Sequence, residues 1–250
     1  MGHLRTRRQP ERNDRGVRAL LIGVGLAVTL PGSGVAQVGH SPESSPYNDL
    51  RISQTVTLMS GYLSGGRGKA GVGPSDGLLG GVRWDIHVGG AASLFLGGYM
   101  FDLERRVLDP TQPPETRMLG TASQSVIMVD GGVNLILTGE KTWHGFAPYV
   151  GANLGVVFGG EVPEDSSGFR FATKFHAGPA LGIRLFVNRR FHLRVEARNV
   201  LWRITYPNSF FAPPENAPGA DPILNEVDTS NTQWTHHPVL MFGLGYTLRL

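Results

Sequence analysis

The chain has 250 residues, of which 40% are hydrophobic, 17% are charged, 35 are glycine and none is cysteine. Its length suits one or two domains, and the lack of cysteine excludes a disulfide scaffold and a zinc site built on thiolates. Glycine is about twice as frequent as its usual share of about 7%, but it follows no three-residue period, which excludes collagen. The apolar content argues against wholesale disorder.

A targeting segment is predicted at the N-terminus. Six arginines lie within residues 1–18, an uncharged run covers 19–30, and Gly34 and Ala36 are small. These features are typical of a secretory signal peptide cleaved after Ala36. The apolar run would reach about 18 Å as a helix, whereas the hydrocarbon core of a bilayer is about 30 Å thick. We therefore expect a signal peptide over 1–36, a short polar segment over 37–49 and one domain over 50–250.

The charge of the chain depends on this leader. The whole sequence has a formal net charge of +3. Residues 1–36 hold six arginines and two acids, so residues 37–250 keep 17 basic and 18 acidic residues, a net charge of −1. The basic balance therefore belongs to the leader, and no nucleic-acid partner is expected.

Apolar residues alternate with small or polar ones throughout the mature chain, and no window shows a long helical spacing. A period of two is the pattern of strands. Eight strands are predicted at about 50–63, 78–88, 92–108, 124–138, 146–158, 171–187, 191–198 and 240–250. The last is the clearest, because every second residue from Leu240 to Leu250 is apolar.

The phase of the third strand, 92–108, is ambiguous because apolar residues occur on both of its faces. We assign one set of residues to its apolar face: Phe95, Tyr99, Phe101 and Leu103. The polar face then holds Asp102, Glu104 and Arg106, together with the apolar Leu94, Leu96 and Met100.

Long and short connections alternate along the chain. The long ones cover about 64–77, 109–123, 159–170 and 205–235, and the short ones cover 89–91, 139–145 and 188–190. Short turns on one rim and long loops on the other are typical of an even-stranded, up-and-down antiparallel barrel in an outer membrane. Many of the strands reach the 9–11 residues or so that such a barrel needs to cross a bilayer obliquely.

Residues 50–250 resemble the small eight-stranded outer-membrane β-barrels, the class of the OmpA membrane domain and the OmpX- and OmpW-type proteins. The resemblance rests on the leader, the eight alternating segments, the alternating connections and a C-terminal pattern of Gly245, Leu248 and Leu250. It implies an all-β, eight-stranded antiparallel up-and-down transmembrane β-barrel. It also implies an outer-membrane location, lipid as a partner, and recognition of the C-terminal pattern by the barrel-assembly machinery.

The polar rows are expected to face the lumen and the apolar rows the lipid. The apolar rows run long without a charge and carry aromatic residues near their ends, as a membrane interface requires. The polar rows are rich in glycine, which suits a lumen just wide enough to be filled by side chains. A soluble barrel, with the two faces exchanged, is the alternative.

A lumen network of charged side chains follows from this orientation. Because an unpaired buried charge is costly, its members should pair across strands. Its predicted members are Arg51, Arg83, Asp85, Asp102, Glu104, Arg106, Asp130, Lys174, Arg184, Arg194, Glu196, Arg198 and Arg249. We interpret the network as a polar plug that fixes the strand register; a narrow ion path is the alternative.

The sequence gives little indication of catalysis. A hydrolase would need serine, histidine and an acid that converge, but alternation places His87, His176 and His192 in the lumen, outside any such cluster. His236 and His237 are interpreted as an exposed rim pair. No phosphate loop, zinc motif or calcium loop is present in the sequence, so no catalytic residue, metal or cofactor is predicted.

The longest connection carries Phe210, Phe211 and Trp234. These residues are interpreted either as an extracellular binding patch or as a lid over the barrel mouth. We expect a monomeric, non-enzymatic barrel with a structural or surface-interaction role. Two alternatives remain open: an OmpW-like conduit for small apolar solutes, suggested by Leu94, Leu96 and Met100 in the lumen, and a lipid-modifying enzyme.

Overall fold

The computed structural model describes residues 45–50, 54–225, 227 and 230–248. The signal peptide predicted over 1–36 lies outside these residues, as do Arg51, Arg249 and Leu250. The strands of the described part are β1 Tyr47–Asp49, β2 Gln54–Leu63, β3 Ser75–Gly89, β4 Ala92–Leu108, β5 Met118–Ile136, β6 Lys141–Trp143, β7 Phe146–Gly159, β8 Thr173–Phe186, β9 Phe191–Thr205 and β10 Thr232–Leu248. Within these ranges no helix is both long and apolar enough to cross a bilayer.

The eight long strands form a closed antiparallel barrel. Each pairs with the next long strand along the chain, and β10 closes the ring by pairing with β2 from Val239↔Leu63 to Leu248↔Gln54. Closure leaves no strand of the ring with an unpaired edge. The predicted eight-stranded, up-and-down antiparallel fold is therefore confirmed.

One short strand pair was not predicted. β1 pairs with β6, with Tyr47 opposite Trp143, and β6 joins β7 through Trp143 and Phe146. Residues 47–49 were assigned to a polar segment and 139–145 to a plain turn. Two glycines with positive φ, Gly139 at 66° and Gly145 at 85°, turn the chain before and after β6, which allows a three-residue strand between them.

Along most of each long strand the wall alternates between an inner and an outer face. On β7, for example, Ala147, Tyr149, Asn153 and Val157 are buried inside, whereas Val150, Leu154 and Phe158 are exposed outside. The predicted faces of this strand are thus the observed ones. Alternation of this kind places one polar row and one apolar row on opposite sides of the same wall.

The interior has two levels. Near the rim with the short turns it is lined by charged side chains, which are described below. Near the rim with the long connections it is apolar, and the connections themselves insert side chains into it. The members of this apolar layer include Met59, Leu63, Tyr99, Phe101, Leu103, Met128, Phe169, Phe171, Trp202, Ile204, Tyr206, Phe210 and Met241. An apolar layer inside the barrel was not predicted.

The predicted phase of β4 is wrong. Phe95, Tyr99, Phe101 and Leu103 are buried inside the barrel, whereas the other row of β4 faces outward. That outer row contains Asp102, Glu104 and Arg106, with Leu94, Leu96 and Met100 nearer to the short turns. The part of this row near the short turns is apolar. The charged part lies where β4 extends toward the long connections, and there an outward charge reaches water.

Candidate functional site

The charged interior cluster is the densest set of ionisable side chains in the described part of the barrel. Its members come from four strands that surround the lumen: β3, β5, β8 and β9. On β3 and β9 they are spaced two residues apart, so they share the inner face of the strand. The cluster consists of Arg83, Asp85, Asp130, Arg184, Arg194, Glu196 and Arg198, and all of these residues are buried.

Asp85 is one centre of the cluster, because it accepts ion pairs from three arginines. Arg184 Nη2 lies 2.9 Å from its Oδ1, and Arg194 Nη2 lies 2.9 Å from its Oδ2. Arg83, two residues earlier on the same strand, contacts Oδ1 through Nη2 at 3.2 Å. Asp85 therefore joins β3 to β8 and β9 across the interior.

Glu196 is the other centre. Arg83 donates from Nη1 to Glu196 Oε2 at 2.8 Å, and Arg198 donates from Nη2 to Oε1 at 2.6 Å. The hydroxyl of Tyr149 donates to Oε2 at 2.6 Å. Since Arg83 contacts both acids, it links the two centres into one network.

Asp130 completes the cluster from β5. Arg198 donates from Nη1 to Asp130 Oδ2 at 2.6 Å and from Nη2 to the hydroxyl of Tyr99 at 3.1 Å. The cluster thus contains four arginines and three carboxylates, a formal excess of one positive charge. Aromatic faces lie over this charge, since the guanidinium carbon of Arg83 is 3.5 Å from the ring centroid of Phe95. Contacts of this kind favour a desolvated guanidinium.

Other members of the predicted lumen network lie elsewhere. Asp102, Glu104 and Arg106 are exposed on the outer face of β4, which corrects their assignment to the lumen. Lys174 is half-buried beside the ring of Phe171, and its Nζ lies 5.2 Å from the ring centroid. It therefore belongs to the level of the interior near the long connections. Arg51 and Arg249 lie outside the described residues.

Sequence reasoning missed the polar aromatic residues of the cluster. Tyr99 and Tyr149 were placed on faces of strands but were given no role, yet their hydroxyls contact Arg198 and Glu196. Arg105 was also missed, although it is buried near the long connections and pairs with Asp165. The inward phase of Tyr149 was available from alternation, whereas that of Tyr99 and Arg105 depended on the ambiguous phase of β4.

The predicted loop patch does not form a single surface. Phe210 is fully buried in the apolar layer, and the half-buried Phe211 packs against that layer. Trp234 is exposed on the outer wall of β10, paired with Arg203 of β9. The interpretation of the 205–235 connection as a lid applies to Phe210 and Phe211, and the interpretation of these three residues as one extracellular patch is wrong.

Hydrogen bonds hold the lid to the neighbouring connection. The backbone N–H of Lys69 donates to the hydroxyl of Tyr206 at 2.9 Å, and that hydroxyl donates to Gln233 Oε1 at 2.8 Å. Burial raises the pKa of Tyr206 above its ordinary value.

The predicted histidines lie on strands of the barrel in the described part of the chain. His176 and His192 are buried inside the barrel, and neither ring makes a hydrogen bond. His237 bonds Thr235 Oγ1 at 2.8 Å and His236 bonds Asn199 at 3.1 Å, so the two do not form one exposed pair. No group of three metal-ligating side chains occurs among the residues that the structure describes.

The C-terminal pattern is described only in part. Gly245 lies on β10 opposite His192, and a side chain at this position would overlap the imidazole ring. Leu248 ends β10 and pairs with Gln54. Leu250, the last residue of the pattern, lies outside the described residues.

Comparison with known proteins gives matches at the level of structure only. No protein-family model matches the chain, and no curated protein matches its sequence. Neisserial surface protein A is similar with 11% identity over 78% of this chain and 97% of its own, at a TM-score of 0.49. The outer membrane protein OprG of Pseudomonas aeruginosa has 11% identity over 80% of this chain and 98% of its own, at a TM-score of 0.46. Ail, the attachment invasion locus protein of Yersinia pestis, has 8% identity over 79% of this chain and 100% of its own, at a TM-score of 0.37. All three are small outer-membrane β-barrels.

Proposed function

We propose that this chain is an integral outer-membrane β-barrel whose lumen is closed by a side-chain plug and whose long connections face the cell exterior. Its role is structural or one of surface interaction, without catalysis. The observation that carries the proposal is the inversion of polarity across the wall, with ionic groups inside and large apolar side chains outside.

The outer face supports contact with lipid. Leu154 is 70% exposed and Phe175 is 81% exposed, and apolar residues continue around the ring on every long strand. Soluble monomers rarely expose contiguous apolar surface beyond a few hundred Å². The closed ring also satisfies backbone groups without water, as a structure in hydrocarbon must.

Aromatic residues lie near both ends of this apolar surface. Phe191, Tyr246 and Trp84 lie in one row near the short turns, because Phe191 pairs with Tyr246, and Val56 pairs with both Tyr246 and Trp84. Near the long connections Phe158 and Trp234 are exposed on the outer wall. Rows of aromatic residues at both ends of the apolar surface are typical of membrane barrels, in which they lie at the two membrane–water interfaces.

The interior supports a plug. The charged cluster and the apolar layer lie in series along the lumen, and an eight-stranded barrel has only enough internal width for side chains. The residues invoked for an apolar conduit, Leu94, Leu96 and Met100, face outward instead. We therefore expect no stable open conductance when the purified protein is inserted into a planar bilayer. A steady single-channel current would contradict the plug.

We expect the chain to be inserted into the outer membrane by the barrel-assembly machinery. Gly245, Leu248 and Leu250 would be read by the barrel-assembly machinery, and the folded product is expected to be a monomer. Truncation of the last three residues should reduce assembly into the membrane without a change in synthesis.

Fractionation combined with gel mobility tests the membrane assignment. The full-length protein, expressed in a Gram-negative host, should sediment with outer membranes and resist carbonate extraction. It should also migrate faster on gels when unheated than after boiling, since a closed barrel stays folded in detergent. A soluble protein with one mobility would contradict the proposal.

A further inference from the structure

A cavity lies beneath the connection between β7 and β8, apart from the charged cluster. It has a volume of about 530 Å³. One wall is the upper part of β4 and β5, with Arg105 and Gln124, and the other is the connection itself, residues 159–172. We call it the Arg105 cavity.

Arg105 lines this cavity, and most of the hydrogen-bonding capacity of its guanidinium is unused. Its side chain is only 2% exposed, and Nη2 pairs with Asp165. Neither Nε nor Nη1 has a partner. A buried guanidinium with free donors is costly unless an acceptor meets them.

The guanidinium is held in place by its surroundings. Its carbon lies 4.9 Å from the ring centroid of Phe169. Asp165 is fixed in turn, because its Oδ1 accepts the backbone N–H of Ser167 at 2.8 Å. A rigid side chain loses little entropy when it binds a ligand.

The rest of the lining has mixed chemistry. Gln124 donates from Nε2 to the carbonyl of Gly160 at 2.7 Å, whereas its Oε1 is buried without a partner. Phe169 and Phe171 contribute apolar surface. The lining therefore combines a buried cation with unpaired donors, a buried amide with one unpaired acceptor and two aromatic rings, and it also includes the charged Glu161 and Arg170.

We propose that the Arg105 cavity is a binding site for a small apolar carboxylate that carries a hydroxyl or amino group. The carboxylate accepts from Arg105, the hydroxyl or amino group donates to Gln124 Oε1, and the apolar part packs on the phenylalanines. Asp165 sets the strength of the site, because its charge partly neutralises Arg105 before the ligand arrives.

Calorimetric titration of the folded protein in detergent micelles tests this site with a defined probe, phenyllactate. We expect measurable binding of phenyllactate to the wild type. The affinity for 2-phenylethanol, which lacks the carboxylate, should be lower by a factor of about ten or more, because a charge-assisted hydrogen bond is lost. Phenyllactate should bind Arg105→Gln about tenfold more weakly as well. It should bind the matched control Arg106→Gln as it binds the wild type, since Arg106 is exposed on the opposite face of β4.

Asp165→Asn should change the affinity in the opposite direction. This variant also tests the site if Arg105→Gln does not fold. Loss of the competing carboxylate should tighten phenyllactate binding. Folding of each variant is checked by the heat-dependent gel shift. No binding to the wild type, equal binding to Arg105→Gln, weaker binding to Asp165→Asn, or equal affinity for inorganic phosphate would each overturn the proposal.

Discussion

Arg83 and Glu196 are 113 positions apart in the chain, yet Nη1 of the arginine donates to Oε2 of the glutamate at 2.8 Å inside the barrel. Both side chains are fully buried. Arg83 is on β3 and Glu196 on β9, so the contact crosses the lumen rather than joining neighbouring strands. A pair of this kind fixes the relative register of distant strands, because a shift of one residue would turn either side chain to the outer face.

Loss of Asp85 should destabilise the barrel strongly. Asp85→Asn leaves three buried arginines without their common carboxylate, and removal of one partner from a buried ion pair costs about 3–5 kcal/mol. Urea unfolding in lipid vesicles measures the change. The control is Asp102→Asn on the outer face of β4, which should change the free energy of unfolding by no more than about 0.5 kcal/mol.

Removal of one arginine should cost less than removal of Asp85. Arg184 contacts only Asp85 among the ion pairs of the cluster. Arg184→Met leaves three arginines and three carboxylates, so the formal excess of positive charge disappears. The unfolding experiment should therefore rank Arg184→Met between Asp102→Asn and Asp85→Asn. A loss as large as that of Asp85→Asn would show that the charge balance does not govern the stability of the cluster.

The glycines of the inner face should be intolerant of a side chain. A Cβ on Gly81 would overlap the carbonyl of Gly98 and come within 2.6 Å of Tyr99 Cδ1. Gly81→Ala should cost about 1–3 kcal/mol of unfolding free energy through overpacking. Its neighbour Gly80 faces outward with no atom within 4 Å of a built Cβ, so Gly80→Ala is the matched control. Equal effects of the two substitutions would contradict the packing explanation for the glycine-rich inner rows.

The sequence predicted the faces of a strand wherever only one of its rows is apolar. On β9 the charged row of Arg194, Glu196 and Arg198 alternates with Leu193 and Val195, so the inner face was evident. On β4 the alternation did not identify the inner face, because Phe95 and Tyr99 on one row are as apolar as Leu94 and Leu96 on the other. The prediction assumed a polar lumen at every level, whereas the upper interior is apolar.

The contacts of the candidate site could not be derived from local patterns. Alternation places Arg198 and Asp130 on inner faces, but their ion pair joins β9 to β5 across the lumen. That pairing depends on the tilt and register of eight strands together. The position of Phe210 is similar: the sequence left both an exposed patch and a lid open, and the ring is buried in the apolar layer, where its removal from water is favourable.

Trp202 should be the most important tryptophan for stability. It is 1% exposed, it packs edge-on against Phe171 at 5.2 Å between ring centroids, and it belongs to the apolar layer beneath the lid. Trp202→Ala should cost about 3–5 kcal/mol, as large truncations in a core do. Trp234, 61% exposed on the outer wall, serves as the control. The same urea titration should show a distinctly smaller loss for Trp234→Ala, and the reverse order would contradict the apolar layer.

The connection between β4 and β5 should respond to acid through Asp109. Thr111 donates from its hydroxyl to Asp109 Oδ1 at 2.7 Å and from its backbone N–H at 2.9 Å. These hydrogen bonds hold the pKa of Asp109 below the ordinary value of 3.8. Because the folded pKa is depressed, the stabilisation is complete above the ordinary pKa and is lost as the pH falls through the folded one. Thr111→Val removes the hydroxyl donor, whose hydrogen bond lowers the pKa of Asp109 the most. A carbon-detected NMR titration of the Asp109 carboxyl should therefore give a higher midpoint in this variant than in the wild type. Thr121→Val, on the exposed face of β5, is the matched control. An unchanged Asp109 midpoint in Thr111→Val, or an equal rise in the control, would mean that the threonine hydroxyl does not set this pKa.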